Sequence, residues 1–400
     1  MSVPSPEDEQ RPDLETSRRT LTTASTAHAL HDGFTDMIYV LLPVWQTEFA
    51  LSYGLLGLLR GLYSGAMAGL QVWAAALAQR WGSVQVLAAG TALAAIGYGL
   101  AGFTSGLVGL CLALVLSGIG SSTQHPLASA AVARAYGERS RGPLGIYNFG
   151  GDVGKAALPA VLSLLLTLLT WRASLGWMAG IGLLVAAGIA LYMPRVSVAL
   201  PKAQPTQAHG RATGGFSWLF TIGVLDSATR MGFLTFLPFL LQDKGASMPL
   251  IGLGLALVFI GGAFGKFACG WLGERHGLLW VVLATEGGSA LAILAVLAMP
   301  LNGALGLLPL LGLMLNGTSS VLYGTVPELT RADERIERAF SLFYTGTIGA
   351  GALAPIAFGF LGDVTSVTWA TVGTAITALT TIPLAMHLHR RYLTAHAPTP

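Results

Sequence analysis

Charge is scarce in this chain: Asp, Glu, Lys and Arg make up 10% of 400 residues, against roughly 25% in soluble globular domains. A chain so poor in charge, with 53% hydrophobic residues and a mean hydropathy of +0.64, cannot cover a water-facing surface of ordinary size. Cysteine is scarcer still. Cys111 and Cys269 lie far apart inside apolar runs, which excludes a disulfide framework and a cysteine metal site. The net charge of +3 is too small to argue for a nucleic-acid partner. No HExxH, GxSxG or paired-aspartate protease pattern occurs, so no catalytic residue, cofactor or metal is expected and the chain reads as something other than an enzyme. The opening MSVPSPEDEQRPDLETSRRT has no apolar core that would make it a signal peptide.

What is abundant is apolar length and glycine. Glycine occupies 52 positions, about twice its usual share of roughly 7%, and small residues let membrane helices approach closely. A helix needs about 20 mostly apolar residues to cross the hydrocarbon core of a bilayer. Cutting at polar and Gly/Pro breaks gives twelve such segments, near 24–47, 54–79, 85–104, 107–133, 143–168, 171–193, 216–241, 248–273, 279–299, 304–328, 338–362 and 365–388. The expected organisation is a disordered cytoplasmic tail over 1–23, a six-helix bundle over 24–193, a cytoplasmic linker over 194–215, a second bundle over 216–388 and a tail over 389–400.

The basic residues orient these spans. With a cytoplasmic N-terminus, Arg11, Arg18, Arg19, Arg80, Arg134, Arg139, Arg141, Arg195, Lys202, Arg211, Arg275, Arg331, Arg335, Arg338, Arg390 and Arg391 fall on the cytoplasmic side. Only Arg172 and Lys244 fall opposite. Such a bias places both termini in the cytoplasm, and an odd number of spans would spoil it. The expected setting is the inner (plasma) membrane of a bacterium, with the lipid bilayer as the main partner and the chain a monomer.

The two halves repeat one another. VLLPVWQTEFALSYGLLG around Pro43 returns as TFLPFLLQDKGASMPLIG around Pro238, 195 residues on. The same offset pairs Gly57 with Gly252, Arg80 with Arg275 and Gly82 with Gly277, and Gly150 and Pro159 match Gly346 and Pro355 at 196. One register held over more than 100 residues implies a duplication. Two six-helix halves joined by a polar linker are the arrangement of the major facilitator superfamily, so the expected fold is an all-α membrane protein of twelve transmembrane helices in two pseudo-symmetric bundles. That resemblance implies a substrate held near the membrane midplane and alternating access.

After the second helix of each half this superfamily usually shows a pattern like Gly-x-x-x-Asp-Arg-x-Gly-Arg. Here Gly270, Glu274, Arg275 and Gly277 match it in the second half, and Ala75, Gln79, Arg80 and Gly82 match it more loosely in the first. These residues read either as a tight turn with positive-inside charge or as a gating latch. A narrower resemblance, to the fosmidomycin-resistance branch, is carried by HALHDGFTDMIYVLLPVWQTEF from His28, GSSTQHP from Gly120 and NFGGDVGKAALP from Asn148. It implies export of small drug-like molecules in exchange for protons. In the fifth helix Asp152 stands where relatives carry an amide, Lys155 replaces a serine and Leu158 precedes Pro159, which adds two charges to the expected cavity wall.

Ionisable groups at the centre of a span cost about 2.5–3.5 kcal/mol on insertion scales, so each implies a partner, a cavity or a function. The first helix carries His28, His31, Asp32 and Asp36, which with Thr35 share one helix face. Asp36 lies closest to mid-membrane and is the expected proton carrier, with Asp32 and His31 passing protons on and His125 and Asp152 as further candidates. The alternative is static pairing with neighbouring cations. One proton moved through 100 mV supplies about 2.3 kcal/mol, enough for a gradient of about fiftyfold in a neutral substrate. Asp152 and Lys155 are spaced to pair with each other. Asp226 and Arg230 in the seventh helix stand at the positions that match His31 and Thr35, and the Arg230 guanidinium suits a carboxylate or phosphonate. Lys155, Asp226, Thr35, Arg60 and Asn148 complete the expected substrate cavity. Arg60 has a second reading, that it snorkels to the outer interface, and Lys266 and Glu286 are spaced to pair across the eighth and ninth helices. Together these features read as a proton-coupled exporter of small organic or drug-like molecules, anionic ones included. An importer of a small organic anion and a passive facilitator are the alternatives.

Overall fold

Polar groups on the peptide backbone cannot be left bare in a chain this apolar, and helices satisfy them within a single segment. The computed structural model describes residues 13–195, 215–330 and 336–393, and among these residues it has helices and no strand. In chain order they are α1 (Leu14–Phe49), α2 (Tyr53–Gly69), α3 (Gln71–Trp81), α4 (Ser83–Ala101), α5 (Leu107–Ser121), α6 (Gln124–Tyr136), α7 (Arg141–Leu168), α8 (Trp171–Tyr192), α9 (Phe216–Asp243), α10 (Met248–Ala298), α11 (Leu301–Leu329), α12 (Ile336–Val364) and α13 (Val367–Leu388). Arg11, Lys202, Arg211, Arg331 and Arg335, with 1–12, most of the linker and the end of the C-terminal tail, lie outside the described residues.

Nine helical stretches among the described residues are long and apolar enough to cross a membrane. The other expected segments fall on α1, whose polar stripe lowers its hydropathy, on the α2–α3 pair, and on the second limb of α10. Three boundaries differ from expectation. α1 starts at Leu14, so residues 14–23, expected in a disordered tail, are helical. The Asp13 carboxylate accepts the Thr16 N–H at 2.6 Å, the Ser17 hydroxyl donates to the Ala135 carbonyl at 2.8 Å and Arg19 reaches the Tyr192 carbonyl at 3.3 Å. These bonds cap and anchor the polar first turns. The expected fourth span is two helices that part at Ser122–Thr123, because Pro126 has no N–H and its ring crowds the carbonyl four residues back. The expected loop between the eighth and ninth spans shrinks to a break at Gly277 (φ 76°, ψ 171°) within α10.

The repeat register reappears in backbone detail. Gly82 and Gly277, 195 residues apart in the sequence, both take positive φ, 89° and 76°, a conformation that costs glycine little. Pro43 and Pro238 sit inside α1 and α9, and Pro159 and Pro355 inside α7 and α12.

The helices form two compact units, Met1–Ile38 with Gly65–Gln204, and Tyr39–Ser64 with Pro205–Pro400. In the first, α4 packs on α5 and α8 around a core that includes Ala24, Leu87, Val132, Tyr147 and Ile189. In the second, α9 packs on α12 and α13, and α10 on α11, around Leu219, Val282, Leu322, Phe343 and Leu388. Within this second unit the start of α2 rests on α12. The Asp363 carboxylate accepts the Tyr53 and Gly54 N–H groups at 2.6 and 2.9 Å, so a residue 310 positions away caps a helix whose own sequence supplies Ser52 there. A side chain at Gly57 would meet the Pro355 backbone, which is why glycine is needed at this crossing. Asp363→Ala removes the cap and its favourable charge at the helix N-terminus. The expected loss is about 1 kcal/mol of stability, read as a lower melting temperature of the purified protein; an unchanged melting curve would show that the cap contributes nothing.

Candidate functional site

Among the described residues, two clusters of ionisable groups are buried, one in each unit. In the first, α1 turns Asp32 inward (7% exposed) among three histidines and a lysine. Asp32 Oδ2 lies 3.4 Å from His28 Nε2 and 3.3 Å from Lys155 Nζ, and Oδ1 lies 3.8 Å from His31 Nε2 and 3.9 Å from His125 Nε2. Both carboxylate oxygens are therefore shared between cationic or potentially cationic groups from α1, α6 and α7. The His28 ring stacks on Tyr147 at 4.1 Å and meets His125 edge-on at 5.2 Å, while its Nδ1 donates to the Tyr147 carbonyl at 2.9 Å. Glycine makes this closeness possible: a side chain at Gly154 would strike the Ala29 backbone, and one at Gly151 would meet Asp32 and His28. α1 and α7 are thus in backbone contact beside the cluster.

In the second unit Asp226 of α9 and Glu286 of α10, 4% and 2% exposed, bring their carboxyl groups together, with the Thr318 hydroxyl beside both and the Arg230 guanidinium near enough to interact with each. Thr318 also donates to Thr285 at 2.7 Å. One Glu286 oxygen and the Arg230 Nε are buried with no hydrogen-bond partner. Next to them Ser227 donates to the Thr347 carbonyl at 2.6 Å, and the hydroxyls of Tyr323 and Thr347 lie 3.3 Å apart. A buried carboxyl pair beside an incompletely satisfied guanidinium is suited to exchanging protons and gripping an anion.

The expected residues divide as follows. Asp32, His31, His125 and Lys155 come together, and His28 joins them. Lys155 reaches Asp32 of α1 at 3.3 Å, a contact that its spacing from Asp152 did not suggest; Asp152 is half-buried in the same helix as Lys155. Asp36 is buried (5% exposed), and Thr35 donates to the His31 carbonyl at 2.9 Å. Asn148 is exposed. Arg60 does not snorkel: it is 3% exposed, hydrogen-bonded to Ser64 and set over the Tyr39 and Tyr63 rings at 5.0 and 5.9 Å, where ring faces stabilise the cation. Glu286, expected beside Lys266, meets Asp226 instead, an arrangement that spacing along the chain could not reveal. Arg80, Glu274 and Arg275 are exposed, and Arg275 lies over the Trp271 ring at 4.4 Å.

Two helical units, with long apolar helices, exposed apolar side chains and buried charged clusters, define a multi-pass membrane protein. The family model of the Major Facilitator Superfamily matches residues 24–218 and again 219–400, and the chain belongs to that superfamily. It is 24% identical over 363 residues to the fosmidomycin resistance protein of Escherichia coli, covering 88% of each chain. It is 31% identical over 218 residues to human monocarboxylate transporter 11, a match covering 52% of this chain and only 45% of that one. Among solved structures, a bacterial homolog of the human lysosomal transporter Spinster, inward-facing and occupied, superposes with a TM-score of 0.83 at 16% identity over 97% of this chain and 100% of that one. The nucleoside transporter NupG does so at 0.78 and 14% over 92% and 99%. At these identities the structural likeness speaks for the fold alone.

Proposed function

We propose that this chain is a proton-coupled secondary transporter that exports a small organic or drug-like molecule carrying an anionic group, by alternating access. The observation that supports this reading best is the Asp226–Glu286 carboxyl pair beside Arg230, whose Nε has no hydrogen-bond partner, together with the separate buried Asp36 of α1. Carboxyl groups held away from water can take and release protons in turn, and a guanidinium beside them can hold an anion whose departure is coupled to that exchange. Asp36 carries the coupling proton. Asp32, His31, His125 and Asp152 line its route, and Arg230, Lys155, Asp226, Thr35, Arg60 and Asn148 form the substrate-facing set. Arg80 and Gly82 in the first half and Glu274, Arg275 and Gly277 in the second act as gating turns.

Export is favoured by the 88% coverage of a relative named for drug resistance. Import of a small organic anion is the second reading, favoured by the name of the monocarboxylate relative and by the added Lys155. The chain works as a monomer with twelve spans in two bundles, 24–193 and 216–388, in a bacterial plasma membrane with both termini cytoplasmic, as the distribution of its basic residues supports. The test is a panel of anionic, neutral and cationic substrates on reconstituted protein under an imposed proton gradient. Asp36→Asn is expected to abolish gradient-driven accumulation while substrate binding persists. Full concentrative transport by that variant would remove Asp36 from the coupling path.

A further inference from the structure

The Asp32 cluster contains His28, to which the transport reading gives no role. A carbonyl can only accept, so the 2.9 Å contact between His28 Nδ1 and the Tyr147 carbonyl puts the ring proton on Nδ1. Nε2 of the same ring faces Asp32 Oδ2, 3.4 Å away. A proton on Nε2, or a metal ion in its place, bridges the two atoms. His125 Nε2, arriving from α6, is 3.9 Å from the same carboxylate, and the ligand atoms of His28, Asp32 and His125 all lie within 4.8 Å of one another.

We propose that His28, Asp32 and His125 form a binding site for a first-row transition-metal dication of the Zn²⁺ class. A tetrahedral zinc with bonds of about 2.0–2.1 Å holds its ligand atoms about 3.3 Å apart; the His28–Asp32 pair at 3.4 Å already matches, and side-chain rotation has to bring His125 in from the 4.8 Å within which the three ligand atoms lie. Two imidazoles and one carboxylate are borderline ligands that suit Zn²⁺, Co²⁺ or Ni²⁺ and leave the fourth position open. The outer partners also fit. A metal-bound histidine usually gives its other N–H to a carbonyl or carboxylate, as His28 does to Tyr147, and His31 Nε2 stands 3.8 Å from the Oδ1 of Asp32. Access comes from the side of His125 and Lys155, whose side chains are 33% and 28% exposed. The Lys155 ammonium, 3.3 Å from Oδ2, competes for the carboxylate and has a flexible stem that lets it withdraw. The cysteines gave no hint of such a site because its ligands are an aspartate and two histidines, the histidines coming from helices almost 100 residues apart in sequence.

The experiment measures equilibrium Zn²⁺ binding to tag-free, detergent-solubilised full-length protein by titration against a chromophoric chelator, with the Co²⁺ visible spectrum as a second readout. No gradient is applied, so the result stands or falls independently of proton coupling. One tight site is expected, with the intense bands of four-coordinate Co²⁺. His125→Ala should weaken Zn²⁺ binding at least tenfold, and His276→Ala, an exposed histidine outside the cluster, should leave it unchanged. Lys155→Met should tighten binding about tenfold by removing the competing ammonium, a gain that misfolding cannot produce. Equal affinity in the unmodified protein, His125→Ala and Lys155→Met would overturn the site, as would a weak six-coordinate Co²⁺ spectrum.

Discussion

Asp32→Asn is expected to melt well below the unmodified protein and to lose gradient-driven transport, and adding Lys155→Met should restore most of the stability but none of the transport. The reason lies in what Asp32 holds. Its two oxygens face Lys155, His28, His31 and His125 at 3.3–3.9 Å, so the amide removes the negative charge around which four side chains are arranged. Breaking a fully buried pair by deleting one partner costs about 3–5 kcal/mol, whereas deleting both is often close to neutral. Because Lys155 keeps 28% of its side chain exposed, the single change should cost somewhat less, about 2 kcal/mol or more. Thermal denaturation in detergent reads the first part and accumulation in proteoliposomes the second. If the double variant is as unstable as the single one, Asp32 supports the fold through its histidines and the lysine pair is incidental.

Arg230→Ala should weaken anionic substrates tenfold to a hundredfold and leave neutral ones nearly unchanged. A charged hydrogen bond is worth about 1.5–3 kcal/mol, and each 1.4 kcal/mol is a factor of ten. The selectivity matters more than the size. Arg230 is half-buried, its Nε has no hydrogen-bond partner, and Asp226 and Glu286 are the carboxyl groups it faces. A purely structural arginine would neutralise those two acids, and its loss would reduce transport of every substrate alike. Arg230→Lys keeps the charge but loses the planar fork, so partial rescue for anions would locate the effect in charge and no rescue in fork geometry. Concentration dependence of uptake across the substrate panel separates the outcomes, and uniform loss would assign Arg230 to the fold.

Much of the architecture was legible in one dimension because the bilayer imposes a length and a polarity on each segment. Apolar runs located the helices, and the duplicated prolines and glycines marked a repeat, whereas the compact units depart from it by placing Tyr39–Ser64 in the second. The positive φ of Gly82 and Gly277 shows that the 195-residue register reports backbone geometry. Errors fell where a local rule met a tertiary contact. Residues 14–23 look like a tail by composition but are helical, held by bonds from Ser17 to Ala135 and from Arg19 to Tyr192. Arg60 resembles an interfacial cation, yet the rings of Tyr39 and Tyr63 enclose it.

By itself the sequence determined that this is a helical membrane transporter with two related halves, and that α1 turns a polar face of His28, His31, Asp32 and Asp36 inward. Composition and periodicity suffice for that, since lipid penalises charge at any point along a span and helical spacing places residues three and four apart together. Only the tertiary structure decided the partners. Lys155 belongs with Asp32, and Glu286 with Asp226, because charges that cannot face lipid settle on whichever helix packs alongside, and neighbours across helices leave no trace in spacing along the chain.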